Sequence, residues 1–137
     1  MFTVSAKGVY GLLAVVELAR NYRGAPIQIR DIARRRGIPQ HYLEQILVVL
    51  KKAGYVESFR GAQGGYALAG DPRELTVEEV LTALEGPIQV VSDDRRGSSL
   101  DFFWDRLQGE IGTLLHVSID HLLTEEQRRS QSFVYTI

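Results

Sequence analysis

The stretch RDIARRRGIPQHYLEQILVVLKKAG, residues 30–54, holds two helical patterns on either side of a tight Gly-Ile-Pro turn. The first pattern, residues 30–37, is about two turns long and strongly basic, and Gly37 is placed to end it. The second begins after Pro39, which a first helical turn tolerates, and stops at Gly54. Its apolar residues recur at helical spacing, at Leu43, Ile46, Leu47 and Leu50. Two helices joined in this way predict a helix-turn-helix.

Upstream of this stretch, the sequence predicts one longer amphipathic helix. Ser5 is placed to cap its start, and Gly24 followed by Pro26 is placed to end it. Its apolar residues follow the i, i+3, i+4, i+7 rule, at Val9, Leu12, Leu13 and Val16. The helix-turn-helix is therefore preceded by a first helix against which it can pack.

Downstream, two short apolar runs flank a glycine-rich turn. YVESF (55–59) and YALAG (66–70) read as strands, and RGAQGG (60–65) reads as the turn between them. Glycines that hold a mononucleotide would be expected to open a helix after a strand, whereas these lead into a second strand. The pattern predicts a β-hairpin, and three helices followed by a hairpin make a winged helix-turn-helix.

The rest of the chain is predicted to be helical around one loop. Thr76 and Glu79 form a capping box for a helix that ends at Gly86, and a polar loop follows at 87–99. Residues 100–116 are predicted to form a long helix that packs along another, because apolar residues alternate at spacings of four and three. The residues that set this rhythm are Leu100, Trp104, Leu107, Ile111, Leu114 and Ser118.

These patterns predict a mainly α fold with a small two-stranded β wing and a long C-terminal helix. We expect a winged helix-turn-helix domain at 1–86, the loop at 87–99 and helices at 100–123, which the family resemblance described below makes the dimerisation helices. The last of these is a short helix at 119–123, which Ser118 caps. Residues 124–137 are expected to be a partly disordered tail whose apolar end docks elsewhere.

Composition limits the function classes. No apolar run approaches the roughly 20 residues that a membrane helix needs, and the N-terminus lacks the layout of a signal peptide, so we expect a cytoplasmic protein without membrane contact. The sequence contains no cysteine, which excludes disulfides, thiolate catalysis and Cys-ligated metal sites. No nucleophile with a nearby base and no pair of carboxylates with an evident pocket is present. We therefore expect that the protein is not an enzyme.

The charge is divided between the two halves of the chain. Residues 1–66 carry ten Lys or Arg and four Asp or Glu, whereas residues 67–137 carry six and thirteen. The first half is therefore +6 and the second −7, for a total of −1. A basic N-terminal half favours a polyanionic partner there, although a chance distribution of surface charge is the alternative.

The basic half holds the chemistry that DNA binding requires. The basic residues available to neutralise phosphates are Arg34, Arg35, Arg36, Lys51, Lys52 and Arg60. The start of the third helix offers hydrogen-bonding groups to base edges in a major groove, from Gln40, His41, Tyr42 and Gln45. Both sets fall with the wing in about forty consecutive residues, which favours a protein that reads double-stranded DNA.

Each of these features also has a simpler interpretation. Three consecutive arginines often form a solvated face, and Tyr42 can pack against the first helix rather than contact the backbone of DNA. A different class of function also remains, in which the winged helix binds another protein through the helix of Trp104 and does not bind DNA.

Three segments resemble a known family: SAKGVYGLLAVVELA, IRDIARRRGIPQHYLEQILVVLKKAGYVES and RGAQGGYAL. They are similar to the winged-helix repressors that include the regulators IscR, NsrR and CymR, and the likeness extends to about Leu123. The resemblance implies a homodimer whose long C-terminal helix crosses to the partner, acting as a repressor on a pseudo-palindromic operator.

The resemblance also implies roles for individual residues. It implies base contacts from the third helix, at Gln40, His41, Tyr42 and Gln45. It implies minor-groove or phosphate contacts from the wing and the first helix, at Arg60, Gly61, Gly64, Lys7 and Tyr10. The resemblance places the dimer seam on Trp104, Leu107, Ile111 and Leu114. The sequence alone shows only an apolar face, and packing of Leu107, Ile111 and Leu114 within one subunit is the alternative. At Pro39 the family usually has a serine or threonine cap.

Sensing departs from the family pattern. Members that hold an iron–sulfur cluster place three cysteines in the loop before the long helix, where this chain has IQVVSDDRRGSSL and none. The sequence resembles the cluster-free branch, in which a partner protein, a small molecule or no direct signal controls the regulator. The other candidate metal ligands near this region are Asp93, Asp94, Asp101, His116 and His121. An exposed acidic loop with two surface histidines is the preferred interpretation, so we expect no cofactor.

Overall fold

The computed structural model describes residues 3–136, with side chains described through Gln131. In this part of the chain it shows six α-helices and one antiparallel two-stranded sheet. The elements are α1 (Ala6–Arg20), α2 (Ile29–Arg36), α3 (Gln40–Lys52), β1 (Val56–Phe59), β2 (Gly65–Leu68), α4 (Val77–Glu85), α5 (Asp101–Leu115) and α6 (Ile119–Thr136). The prediction of a mainly α winged helix-turn-helix followed by a long helix is confirmed.

The turn between α2 and α3 forms as its residue types predict. Gly37 adopts a left-handed conformation with φ of 64°, which glycine reaches without the steric cost that a side chain would bring. Pro39 is the residue before the helix rather than its first member, and its carbonyl accepts hydrogen bonds from the backbone N–H groups of Tyr42 and Leu43. The turn therefore fixes the start of α3 relative to the end of α2.

Helix α3 lies at the centre of the core. Its four periodic apolar residues are all 0% exposed: Leu43, Ile46, Leu47 and Leu50. Helix α1 packs against α3 and also against α2, α4 and α6, so it forms the other half of the core. Burial of this apolar surface is the main force that holds the three-helix unit together.

The predicted apolar face of α1 is not its most buried face. The residues of α1 that enter the core include Ala14, Val15 and Leu18. Of the predicted stripe, Val16 is buried in the core, Leu12 and Leu13 are half-buried, and Val9 is 48% exposed. The predicted stripe lines a surface groove of about 440 Å³, together with Val4, Leu81 and Leu122. Ser5 precedes the helix but its side chain makes no capping bond; its backbone N–H instead donates to Glu85 Oε1 at 2.7 Å.

The wing is tied back to the segment that precedes α2. Strands β1 and β2 pair from Val56 opposite Leu68 to Phe59 opposite Gly65. Ile27 then adds a bridge to Tyr66, with N–H to carbonyl distances of 2.9 and 2.8 Å. Gly65 has φ of 141° and lies against the Ile27 backbone, where a side chain would collide. The wing is therefore fixed relative to the helix-turn-helix.

Helix α4 begins with the predicted capping box. The backbone N–H of Glu79 donates to Thr76 Oγ1 at 3.1 Å, and that of Thr76 donates to Glu79 Oε1 at 3.2 Å. The segment before α4 also pairs with the segment before α6, because Val77 N–H donates to the Val117 carbonyl and Ile119 N–H to that of Leu75. Between α4 and α5 the predicted loop contains one short 3₁₀ turn, Asp93–Arg95.

Helix α6 continues to Thr136, well beyond the end predicted at Leu123. Ile119 and Leu123 anchor its first turn in the core. Glu125 then pairs with Arg128 at 2.6 Å and Arg129 at 3.4 Å, which are i, i+3 and i, i+4 neighbours that stabilise a helix. Opposite charges three and four residues apart are typical of a charged helix rather than of a disordered polar tail. The apolar side chains at the end of the tail lie outside the described part of the structure.

Candidate nucleic-acid interface

The first half of α3 presents polar side chains to solvent. Gln40, His41 and Gln45 are exposed, on the face opposite the four buried apolar residues. Because the buried face fixes the rotation of the helix, these three side chains are held outward in a defined orientation. Their hydrogen-bonding groups match what base edges in a major groove offer.

Tyr42 lies on the flank of this helix rather than fully outward. It is half-buried and packs edge-on against Tyr10 of α1, with ring centroids 5.5 Å apart and an angle of 80°. This arrangement is a favourable aromatic contact. Tyr10 therefore lies beside the start of α3, and the half-buried Lys7 lies three residues earlier on α1. The family resemblance assigns phosphate contacts to both.

Arg60 and Gly61 form the exposed tip of the wing. Gly61 has φ of 97°, so glycine is needed there for the turn. Gly64 is buried against the backbone of Phe59 and Arg60, and therefore shapes the tip rather than presenting a surface of its own. The wing is braced on both sides, since Lys51 Nζ donates to Ser58 Oγ at 2.6 Å and Gln28 Nε2 donates to the Ala62 carbonyl at 3.4 Å.

The basic run of α2 does not form one solvated face. Arg34 is directed outward, with its side chain 76% exposed and paired to Asp31 at 3.2 Å. Arg35 is partly exposed and contacts Glu17 of α1 at 3.3 Å. Arg36 is directed inward, is only 12% exposed, and pairs with Glu17 and with Glu126 of α6. The expectation that Arg36 neutralises phosphate is therefore wrong, because its charge is already engaged inside the molecule.

Glu17 is a buried charged residue that the sequence analysis did not single out. It is 2% exposed and lies within a run of α1 that is otherwise apolar or small. Its carboxylate forms ion pairs with Arg20, Arg35 and Arg36. A buried carboxylate is costly unless it is paired, which explains why three arginines converge on it. The available signal was a single acidic residue inside the apolar part of the first helix.

The surface that remains basic consists of outward side chains on α2, α3 and the wing. The exposed positions are Arg30, Arg34, Lys51, Lys52 and Arg60, with Arg35 partly exposed beside them. Arg30, at the start of α2, was not singled out from the sequence, although it belongs to the same basic half. The structure therefore exposes the polar face of α3, the tip of the wing and a set of cations able to meet phosphates.

The expected dimer seam lies on α5, which carries none of these side chains. Trp104, Leu107 and Ile111 are half-buried, and Leu114 is 73% exposed. None of the residues of α5 is fully buried, and among the helices and strands its main neighbour is α4. Gln108 also ties α5 to the preceding loop, since its Nε2 donates to the Ile88 carbonyl at 2.7 Å and its Oε1 accepts from Val90 N–H at 2.9 Å. Phe102, which is 70% exposed, extends the apolar surface toward the start of the helix.

Three of the candidate metal ligands, Asp93, Asp94 and Asp101, lie in contact with other groups of the chain. The Asp101 carboxylate accepts hydrogen bonds from the backbone N–H groups of Gly97 and Ser98, and the bond from Gly97 holds the pKa of Asp101 below its usual value. Asp93 accepts from Gln89, and Asp94 lies beside Arg95. Among the described residues, no group of three or more His, Cys, Asp or Glu side chains is arranged to hold a metal ion.

None of the helices within residues 3–136 is both long and apolar enough to cross a membrane. This finding concerns the described helices alone.

Comparisons with known proteins cover almost all of the chain. The sequence profile of the Rrf2 family, described as an iron-dependent transcriptional regulator, matches residues 4–123. The chain is 31% identical over 137 residues to the HTH-type transcriptional regulator CymR of Bacillus subtilis strain 168, covering 98% of this chain and 99% of CymR. It is 35% identical over 94 residues to the HTH-type transcriptional regulator IscR of Escherichia coli O1:K1, covering 69% of this chain and 58% of IscR.

Solved structures give the same result. The structure of Bacillus subtilis CymR superposes with a TM-score of 0.85 and 33% identity, covering 91% of this chain and 98% of CymR. That of IscR from T. potens superposes with a TM-score of 0.78 and 36% identity, covering 91% of this chain and 88% of IscR. The likeness therefore includes α5 and most of the C-terminal region as well as the winged helix.

Proposed function

The chain belongs to the Rrf2 family of transcriptional regulators, and from that premise we propose that it is a repressor that binds a pseudo-palindromic operator as a homodimer. The observation that carries the proposal is the polar face of α3, held outward by four fully buried residues on the opposite face. A helix presented in this way is the element that enters a major groove in helix-turn-helix proteins.

The proposed division of labour separates base contacts from phosphate contacts. Gln40, His41 and Gln45 are assigned to base edges, and Tyr42 to the flank of the groove. Arg60 at the wing tip is assigned to the minor groove, where negative potential attracts arginine. The assigned phosphate contacts are Lys7, Tyr10, Arg34, Arg35 and Lys51. Phosphate contacts fix position and base contacts fix sequence.

The DNA-binding proposal is tested by selecting bound duplexes from a random pool and then comparing two variants. We expect an enriched motif with two half-sites about one helical turn apart. Gln45→Ala is expected to relax the base preference at one position and to lower the affinity for the selected site by about 5- to 100-fold. Lys51→Gln is expected to weaken all sequences alike and to reduce the salt slope by about one.

The control for Lys51→Gln is Arg95→Gln, which removes an exposed cation from the loop before α5, a segment that carries none of the assigned DNA contacts. Affinity is measured across a salt series for each protein. A nearly flat salt dependence of the wild-type protein would contradict phosphate neutralisation. A complex with another protein that survives high salt, together with indifference to duplex DNA, would instead favour an interaction module.

The homodimer is proposed from two apolar surfaces that one chain leaves uncovered. Helix α5 exposes Phe102 and Leu114, and its half-buried Trp104, Leu107 and Ile111 are not among the residues packed against the core. The groove along α1 is lined almost entirely by apolar side chains. A second copy is the partner that carries both surfaces at once, and closed symmetric dimers are the commonest soluble oligomers.

We propose regulation without a Cys-ligated cluster because of the metal-ligating side chains that the chain offers. The chain has no cysteine, and its acidic residues around α5 are engaged by backbone N–H groups and arginines, so a Cys-ligated iron–sulfur cluster does not fit these residues. A partner protein or a small molecule would then supply the signal. Anaerobically purified protein is expected to be colourless, and an absorption band assigned to a bound cluster would overturn this part of the proposal.

A further inference from the structure

Three helices of the structure meet at one charged cluster, formed by Glu17 of α1, Arg35 and Arg36 of α2, and Glu126 of α6. Arg36 Nε donates to Glu17 Oε1 at 2.9 Å. The same guanidinium donates from Nη1 and Nη2 to the two carboxylate oxygens of Glu126, at 2.6 and 3.0 Å. One side chain therefore links the basic helix of the helix-turn-helix to the C-terminal helix.

The geometry of this link favours a strong interaction. Bidentate pairing between a guanidinium and a carboxylate fixes the orientation of both groups as well as their separation. Arg36 is 12% exposed, so water competes little for its donors, although Glu126 is 45% exposed. The hydrogen bonds between them raise the pKa of Arg36 and lower the pKa of the Glu126 carboxyl, so both groups are charged near neutral pH.

The link is placed where a small displacement would reach the recognition helix. Arg36 is the last residue of α2, and the tight turn at Gly37 leads directly to the start of α3 at Gln40. The exposed polar residues of α3 begin at that same end. Movement of the end of α2 would therefore shift the side chains proposed to read DNA.

We propose that Glu126 is a positioning residue for DNA binding, which holds α2 and the start of α3 in their productive orientation through Arg36. This inference rests on the proposed DNA-binding function. It assigns the C-terminal helix a role in operator affinity, although Glu126 lies on a different element from the proposed contact surface. Anything that displaces α6 would then weaken DNA binding without touching the interface.

Two variants on the same helix provide a matched test. Glu126→Gln removes the charge that holds Arg36. Glu125→Gln removes an identical charge from the neighbouring residue, whose pairs among the described residues are Arg128 and Arg129 of α6 itself. Both variants change the net charge equally, so any general electrostatic effect on DNA affinity is the same in the two proteins.

The measurement is affinity for duplexes selected by the wild-type protein, together with hydrogen exchange of the α2 and α4 amides. Glu126→Gln is expected to weaken binding by about fivefold or more, whereas Glu125→Gln stays within about twofold of the wild type. Exchange is expected to rise in α2 for Glu126→Gln and to stay unchanged in α4, because local opening is confined to the released element. A merely structural role would not lower the affinity of the folded protein.

A double-mutant cycle with Arg36→Gln identifies the partner. If Glu126 acts through Arg36, then Glu126→Gln is expected to have no further effect on DNA affinity in the Arg36→Gln background. Equal affinities for the Glu125→Gln and Glu126→Gln variants would overturn the inference, as would additive effects in the cycle. Failure of the wild-type protein to bind any duplex would instead refute the proposed function itself.

Discussion

Helices α3 and α5 are 13 and 15 residues long, and both repeat apolar residues at spacings of three and four. In α3 the periodic residues are completely buried between α1 and its neighbours. In α5 none of the residues is fully buried, and Leu114 and Phe102 are among the most exposed large apolar side chains of the described chain. The same sequence pattern therefore leads to a core in one region and to an uncovered surface in the other.

The difference shows that the spacing of apolar residues identifies the apolar face of a helix. It does not identify the element or molecule that packs against that face. Residues that precede and follow α3 supply its cover, because α1, α2, α4 and β1 all pack against it. Helix α5 has α4 as its main neighbour, and a loop separates the two. We propose that a second copy covers α5, which makes the stability of α3 an intramolecular property and that of α5 a property of the assembly.

The largest expected effect comes from truncating the centre of α3. Leu47→Ala should lower the free energy of unfolding by about 2–5 kcal/mol, because it removes buried apolar surface and leaves a cavity. Val48→Ala, on the exposed side of the same helix, is the control and should change stability by about 0.5 kcal/mol or less. Denaturant unfolding at fixed protein concentration measures both, and similar losses would remove the distinction between the two faces.

The second effect concerns the assembly. Leu107→Asp combined with Ile111→Asp is expected to weaken dimerisation by at least about 100-fold, because carboxylates would have to be buried in an apolar interface. Sedimentation across a concentration series measures the change, and circular dichroism checks that the helices persist. Ser98→Asp with Ser99→Asp adds the same two charges just before α5 and should leave the dimer intact. An unchanged dimer in the α5 variant would mean that this seam does not hold it.

The smallest effect tests how α5 is attached to its own chain. Thr76→Ala removes the side-chain acceptor of the α4 capping box and should cost about 1 kcal/mol. Because α4 is the main neighbour of α5, hydrogen exchange is expected to increase in α5 as well as at the start of α4, and not in α3. Thr113→Ala, which alters a hydroxyl within α5, is the comparison. Equal increases in α3 would show that the two regions are one cooperative unit.

Much of the fold follows from local signals that the sequence states directly. The glycine at the end of α2, the capping box of α4 and the periodic residues of α3 each act over a few neighbouring residues, so their consequences were predictable. The inward side of α1 was not predictable in the same way. Its small residues, including Ala14 and two glycines, allow close helix packing, whereas the larger stripe that the periodicity identified lines a surface groove.

In the candidate site, too, some features were predictable from local sequence and others were not. The polar positions at the start of α3 were predictable, because they are the residues left over once the buried face is assigned. The orientation of Arg34, Arg35 and Arg36 was not predictable. The partners of Arg36 are distant in sequence, because Glu17 lies 19 positions before it and Glu126 lies 90 positions after it. Pairing over such separations depends on how α1 and α6 pack, which no local pattern encodes.

Residue types and near neighbours were enough to specify the helix-turn-helix, the wing, the basic first half and the absence of thiolate chemistry. The packing of the helices settled which arginine of α2 is directed inward, which face of α1 enters the core, and that Glu126 of α6 pairs with Arg36 of α2. These features needed the folded chain because burial and ion pairing depend on distant segments. The roles of the arginine run in α2 and of the apolar stripe in α1 are therefore established only when the helices pack together.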